Sequence, residues 1–181
     1  MPLRLKCTRM KNIFRIEPLD YAHLEMVRTW RNQDSVRLNM EFQDLISPEQ
    51  QVQWFAKTQQ DSSKQYFVFY SHSKPIGLVH LSDINKENAT AQVGLFVGDE
   101  GFHGTGAALQ ASLFILDRAF VQLRLQQLFA KVKRDNSAAT QYNTLLGFEF
   151  SRKVSDQFDE YQLSHENFQL RKVKIQRICL P

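Results

Sequence analysis

Three stretches of the chain, Gln65–Tyr70 (QYFVFY), Pro75–Ile84 (PIGLVHLSDI) and Ala89–Gly98 (ATAQVGLFVG), are rich in aromatic and β-branched residues and are separated only by the short polar connections SHSK and NKEN. Runs of this composition with so little chain between them predict three strands in an antiparallel meander. Upstream, Asn12–Leu19 (NIFRIEPL) reads as a short strand, and Tyr21–Asn32 places Leu24, Val27 and Trp30 at near-helical spacing behind Asp20 as N-cap. The stretch SPEQQVQWFAK opens with Ser47 as cap, Pro48 at the first helical position and Gln50 three residues after the cap, the pattern of a capping box. Downstream the period changes to helical, with Leu109, Leu113, Leu116 and Phe120 marking a core-facing helix from about Gly106 to Leu123. A strand at Gln126–Val132 and a helix at Asn136–Leu146 follow. Strand, loop, helix and strand in that order predict a right-handed parallel crossover. Phe148–Val154 and Phe168–Gln176 read as a final antiparallel pair that closes the sheet. The expected fold class is α+β: one domain built on a twisted, mixed, mostly antiparallel sheet with flanking helices.

Composition narrows the class. A chain of 181 residues with 43% apolar and 12% aromatic content can bury one core in one domain, and it shows no repeat, low-complexity tract or linker. The formal charge of +4 favours anionic partners mildly without choosing among them. Two cysteines, Cys7 and Cys179, sit near opposite ends, which argues against a disulfide framework or a cysteine-bearing metal site and for a reducing cytoplasm. The amino terminus lacks the apolar core of a signal peptide, and no stretch reaches membrane-spanning length.

The chemistry concentrates between Gly101 and Gly106, where GFHGTG places three glycines in six residues directly before an apolar helix. Glycine weakens a helix start, so bare backbone there implies a close approach. A glycine turn at a helix N-terminus offers N–H groups and a positive dipole end to phosphate. Gly101 and Gly106 have the spacing of a P-loop, but Ala107 and Ala108 replace its lysine and hydroxyl residue. The dinucleotide fingerprint fails at Leu109, where its third glycine belongs.

The loop Gly101-Phe102-His103-Gly104-Thr105-Gly106 resembles the acyl-CoA signature of the GNAT N-acetyltransferase superfamily, with Gly101 in place of its opening glutamine or arginine. The later stretch NSAATQYNTLLGFEF is similar to a second superfamily segment through Asn136, Ala139 and the pair Gly147-Phe148. Residues 1–181 would then form a single acyl-CoA N-acyltransferase domain, using acetyl-CoA as co-substrate and no metal. The resemblance implies that Leu95, Phe96 and Val97 line the acyl-CoA groove and that an N–H near Gly94 to Phe96 polarises the acetyl carbonyl. It also implies that the amides of Phe102, His103, Gly104, Thr105, Gly106 and Ala107 hold the pyrophosphate, and that Asn136 and Asn143 contact the pantetheine arm or sulfur. Charge alone adds Lys133 and Arg134 as candidates for the adenosine phosphate. Within the superfamily, WRNQDSVRLNM followed by ISPEQQVQWF resembles nucleotide-amino-sugar N-acetyltransferases, including those of pseudaminic acid synthesis, and shares an Arg-Asn element with ribosomal-protein enzymes. The resemblance implies Arg31, Arg37, Met40 and Gln92 as acceptor contacts. Gln51 stands where many of the sugar enzymes have histidine.

Two catalytic positions depart from the superfamily pattern. Gln92 occupies the usual glutamate site and cannot act as a base, which leaves His80, Asp83 and His103 as candidates. The usual tyrosine site holds Asn143, with Tyr142 one residue early and so rotated by about 100°. With no cysteine in the motifs, direct transfer in a ternary complex is expected. The acceptor is expected to be a small-molecule amine, nucleotide-linked in the best reading, with a protein N-terminus, polyamine or aminoglycoside as alternatives; a CoA-binding module with impaired catalysis is the alternative of another class. Neither nucleic acid nor membrane is expected as a partner, the basic stretch RKVKIQR (Arg171–Arg177) reading as an edge strand, and a homodimer stays open.

Overall fold

The computed structural model describes residues 14–179; Cys7, together with Asn12 and Ile13 of the expected first strand, lies outside the described residues. Strand β1 (Phe14–Pro18) leads through a 3₁₀ turn at Tyr21–His23, capped by Asp20, into α1 (Leu24–Asn32). A single-turn helix α2 (Asp34–Arg37) and α3 (Pro48–Gln59) follow. The capping box of α3 is present in full, the Gln50 N–H donating to Ser47 Oγ at 3.2 Å and the Ser47 N–H to Gln50 Oε1 at 2.8 Å. The meander is β2 (Gln65–Ser71), β3 (Lys74–Asn85) and β4 (Thr90–Val97). After the glycine loop come α4 (Ala107–Asp117), extended by a wider turn at Arg118–Gln122 in which the Leu123 N–H donates to the Arg118 carbonyl, then β5 (Gln127–Lys133) and α5 (Ser137–Leu146). The chain closes with β6 (Glu149–Lys153), β7 (Phe158–Ser164) and α6 (His165–Cys179).

Among the described residues the sheet has seven strands in the order β1-β2-β3-β4-β5-β7-β6. Every pairing is antiparallel except β4 with β5, as the crossover through α4 requires. The expected partner of β6 was Phe168–Gln176, and this is corrected: β6 pairs with β7, while Phe168–Gln176 lies in α6. Phe168 and Ile175 are seven residues apart, one helical face, and both are buried in the core. Leu170 and Val173, taken as strand positions, stand exposed.

Two cores flank the sheet. On one face Phe67, Val79, Leu81, Leu128 and Leu163 pack against α4, α5 and α6. On the other, Val68, Tyr70 and Leu78 pack against Val27 and Trp30 of α1, with Trp54 and Phe55 of α3 beside them. Gly98 belongs to this second layer, because a Cβ there would fall on the Trp30 indole.

The segment between α2 and α3 crosses from one half of the sheet to the other. At its α3 end, Arg28 and Asn32 donate to the Ile46 carbonyl (3.0 and 2.9 Å) while the Ile46 N–H donates to Asn32 Oδ1 at 2.8 Å. At its α2 end, Asn136 Nδ2 donates to Asn39 Oδ1 at 3.0 Å and Lys131 to Glu41 at 3.1 Å. Asn32→Ala leaves both Ile46 backbone groups without their amide partner, a loss of about 1–3 kcal/mol. Urea unfolding checks it: the midpoint should fall with the slope unchanged, and an unaltered midpoint would show that this bracket carries no stability.

Candidate active site

The β4–β5 ladder joins only Thr90 to Gln127, Ala91 to Leu128 and Gln92 to Phe129. Beyond Gln92, β4 stays with β3 as far as Val97, whereas β5 stays with β7 over its whole length. The two strands therefore part, and the edge of β4 from Val93 to Val97 faces an opening with no ladder partner on that side. Leu95 and Val97 turn their side chains to the α4 core and Phe96 turns to Trp30, so backbone rather than side chain lines this edge.

The glycine loop follows at the open end of β4. The Phe102 N–H donates to the Asp99 carbonyl, His103 to Glu100 and Thr105 to Phe102, and Gly101 to the Asp99 carboxylate at 3.0 Å. The expectation that Phe102 to Ala107 all offer amides is thereby corrected. The amides of Gly104, Gly106, Ala108 and Leu109 are the ones without an acceptor among the described residues, and the Ala107 N–H has only a long 3.4 Å contact with Thr105 Oγ1. Gly104 adopts φ +71°, the left-handed region that favours glycine. Gly106 has φ −69°, which any residue adopts, and a Cβ there would meet nothing within 4 Å. Neither strain nor packing explains Gly106, so its bare backbone suits close approach of an outside group. His103 is exposed, with Nε2 3.3 Å from the Val97 carbonyl, and Phe102 tucks against the core.

Opposite the loop, on the α1 and α3 face, a column of rings runs toward the opening. Trp54 meets Tyr66 edge-on at 5.0 Å, Tyr66 stacks on His80 at 4.8 Å, and His80 covers Gly94, where a Cβ would collide with its ring. His80 Nδ1 and Arg31 Nη1 are both buried without a hydrogen-bond partner among the described residues. Burial, with the Arg31 guanidinium beside it, pushes the His80 pKa down to about 4, and burial likewise lowers that of Arg31. Gln92 sits at the apex where the strands part, opposite Ser82 and Phe129.

Other candidates lie apart from this cluster or are already engaged. Arg37 donates to the Gln43 carbonyl and to Asp34, each at 2.6 Å, so it braces the crossing segment, leaving only a buried Nε unpaired. Met40 is partly buried in the same segment. Asp83 is exposed with φ +51° in the irregularity of β3, beyond the closed end of the split. Asn136 caps α5 by accepting from the Ala139 N–H at 3.0 Å, and Asn143 donates to the Ala139 carbonyl at 2.9 Å. The Tyr142 hydroxyl lies 2.7 Å from that of buried Ser112, tying α5 to α4. Lys133 and Arg134 pair with Asp135 and Asp159. Tyr66 and Asn39 carried no motif; their place is set by strand period and by a tertiary contact. No group of three His, Cys, Asp or Glu among the described residues is placed to hold a metal, and no described helix is long and apolar enough to cross a membrane.

The depressed pKa of His80 has a sign that stability measurements read directly. Between pH 6.5 and about 4 the unfolded chain takes up a proton that the folded chain refuses, so the stabilisation is whole above pH 6.5 and falls away as pH drops toward 4. The loss is roughly 3 kcal/mol. Unfolding free energy of wild type and His80→Gln should converge across this window; parallel curves would mean that His80 titrates normally.

Comparison with known proteins agrees with this geometry. Residues 14–149 match the acetyltransferase (GNAT) domain family. The chain is 28% identical over 121 residues to the acetyltransferase PseH of Campylobacter jejuni subsp. jejuni, serotype O:23/36 (strain 81-176), covering 67% of this chain and 73% of PseH. Among solved structures, the spermidine N-acetyltransferase of Vibrio cholerae in complex with CoA and spermine superposes with a TM-score of 0.79 at 18% identity, over 86% of this chain and 98% of that one. FdhC, a nucleotide-linked sugar GNAT, superposes with a TM-score of 0.76 at 20% identity, over 94% and 97%. The split sheet, the glycine loop and the match across most of the chain lead to one conclusion: the protein belongs to the GNAT family of N-acetyltransferases.

Proposed function

We propose that this acetyltransferase transfers the acetyl group of acetyl-CoA to the primary amine of a small molecule that also carries an anionic group, a nucleotide-linked amino sugar. The observation that carries the acceptor class is Arg31, whose guanidinium is partly buried on an aromatic wall beside the open β4 edge with one nitrogen unpartnered. A guanidinium so placed attracts phosphate or diphosphate and repels a polycation such as spermidine. The relationship to PseH and the fold shared with FdhC support the same reading.

The residues present fit acetyl-CoA. The amides of Gly104, Gly106, Ala108 and Leu109 converge at the start of α4, where the dipole adds to their affinity for the pyrophosphate. Acetyl-CoA supplies the thioester carbon that the amine attacks. As the N–C bond forms and the C–S bond breaks, an amide of the Gly94–Phe96 edge donates to the carbonyl oxygen, and the sulfur leaves as a thiolate. Its pKa, about 8.5 for a comparable thiol, makes a dedicated acid dispensable. The amine must lose a proton. His80 is neutral at physiological pH, and a pKa near 4 makes it a poor proton store, so the proton passes on to water. Arg31, with the neutral His80 ring beside it, orients the acceptor, and proximity supplies most of the rate.

Gly106→Val places a branched side chain where the protein has open space, so the fold tolerates it and the cradle does not. Acetyl-CoA should raise the melting temperature of the wild type and leave that of the variant unmoved, whereas equal shifts would remove the loop from the cofactor site. Arg31→Ala should raise KM for a nucleotide-linked amino sugar about 10- to 100-fold, as loss of a charged hydrogen bond does, with KM for acetyl-CoA unchanged. Thiol release across nucleotide amino sugars, spermidine, aminoglycosides and peptides checks the class. Turnover of spermidine alone would overturn it, and no turnover of any amine would favour a CoA-binding module.

A further inference from the structure

Helix α6 has a second face that neither the core nor the active site uses. Phe168 and Ile175 are buried, and Lys172 is held by Asp117 of α4 at 2.6 Å. On the opposite side Glu166, Gln169, Leu170, Val173 and Lys174 follow one another at helical spacing and are all exposed. Leu170 is 64% and Val173 48% exposed, and Phe150 on the edge strand β6 is 58% exposed. Beside Leu170 lies a groove of ≈ 290 Å³ walled mostly by polar residues, Lys174 among them, with Phe148 and Glu149 on its β6 side. An exposed apolar strip that can meet its own copy, flanked by charges of both signs, is what a self-complementary, two-fold contact needs.

The charges choose the occupant. Glu166 and Lys174 stand eight residues apart, about 12 Å along the helix, too far to pair with each other, and neither has an ion-pair partner among the described residues. If a second copy lays its α6 antiparallel across this one with the two-fold axis near Leu170, Glu166 meets Lys174 of the partner subunit, and the reverse pair forms by symmetry. Leu170 then meets its own counterpart at the axis. A parallel arrangement would set like charges against each other, and an unrelated partner would have no reason to carry this matching pattern.

We propose that the protein forms a homodimer through antiparallel packing of α6 on α6, centred on Leu170 and oriented by the Glu166–Lys174 pairs. The interface lies on the face of the sheet opposite Arg31 and His80. Lys172 anchors α6 to the last turn of α4, at the far end of that helix from the glycine loop. Both active sites therefore stay open in the dimer.

Light scattering of the full chain tests the proposal. Wild type should have twice the 21.2 kDa mass of one chain at high micromolar concentration, and Leu170→Glu should have the mass of one chain. Because Leu170 is exposed, the variant should keep its far-ultraviolet circular dichroism, which shows that lost association is not lost folding. Glu166→Lys and Lys174→Glu singly should weaken the dimer about tenfold or more, and together should restore it, since reversing both signs recreates both pairs. A monomeric wild type, a dimer that survives Leu170→Glu, or a double variant no better than the singles would overturn it.

Discussion

The early end of the β4–β5 ladder is the constraint on which the rest of the structure depends. Three residue pairs hold the parallel strands together, and then each strand follows its antiparallel neighbour, β4 with β3 and β5 with β7. An interior strand thereby acquires an edge with unsatisfied backbone groups in the middle of a sheet, which is costly unless something else pairs with it. The glycine loop leaves more amides without acceptors at the end of that edge. The acyl-CoA proposed above would pair with both sets, its phosphates at the loop and its carbonyl along the edge.

The second half of the site is built by side chains, and its logic is electrostatic. The ring column from Trp54 through Tyr66 to His80 excludes water beside Arg31. Taking the guanidinium out of water while leaving a nitrogen unpaired is unfavourable, and an anionic acceptor would offset that cost. The same burial holds His80 neutral, which keeps a second cation from forming against Arg31. The segment pinned by Asn32 at one end and by Asn136 and Lys131 at the other joins the α1 side to the α5 side of the opening.

What the sequence reveals divides along physical lines. Features written in local chemistry are legible: the Ser47–Gln50 capping box, the aromatic meander and the glycine turn before α4 all depend on neighbours in the chain. Phe168–Gln176 reads as a strand because Val173 and Ile175 alternate with lysines, while the Phe168–Ile175 interval that marks its helical face is longer and less conspicuous. β7 was hidden by its acidic residues, since FDEYQLS buries Glu160 against Arg152 at 2.7 Å rather than alternating apolar with polar. Within the site, the glycine loop was readable, but which of its amides remain available depends on turns inside the loop. The stacking of Tyr66 on His80 depends on strand register, and the engagement of Arg37 by the Gln43 carbonyl depends on a loop conformation.

The central claim is that the exposed edge of β4 and the start of α4 together receive the acyl-CoA. Amide hydrogen exchange, followed with and without acetyl-CoA, tests it most directly because it reads the backbone groups themselves. Exchange should slow at residues 93–97 and at 104–109, while β6 and the exposed face of α6 stay unchanged. Binding that leaves the amides of both segments exchanging at their original rates would contradict the account.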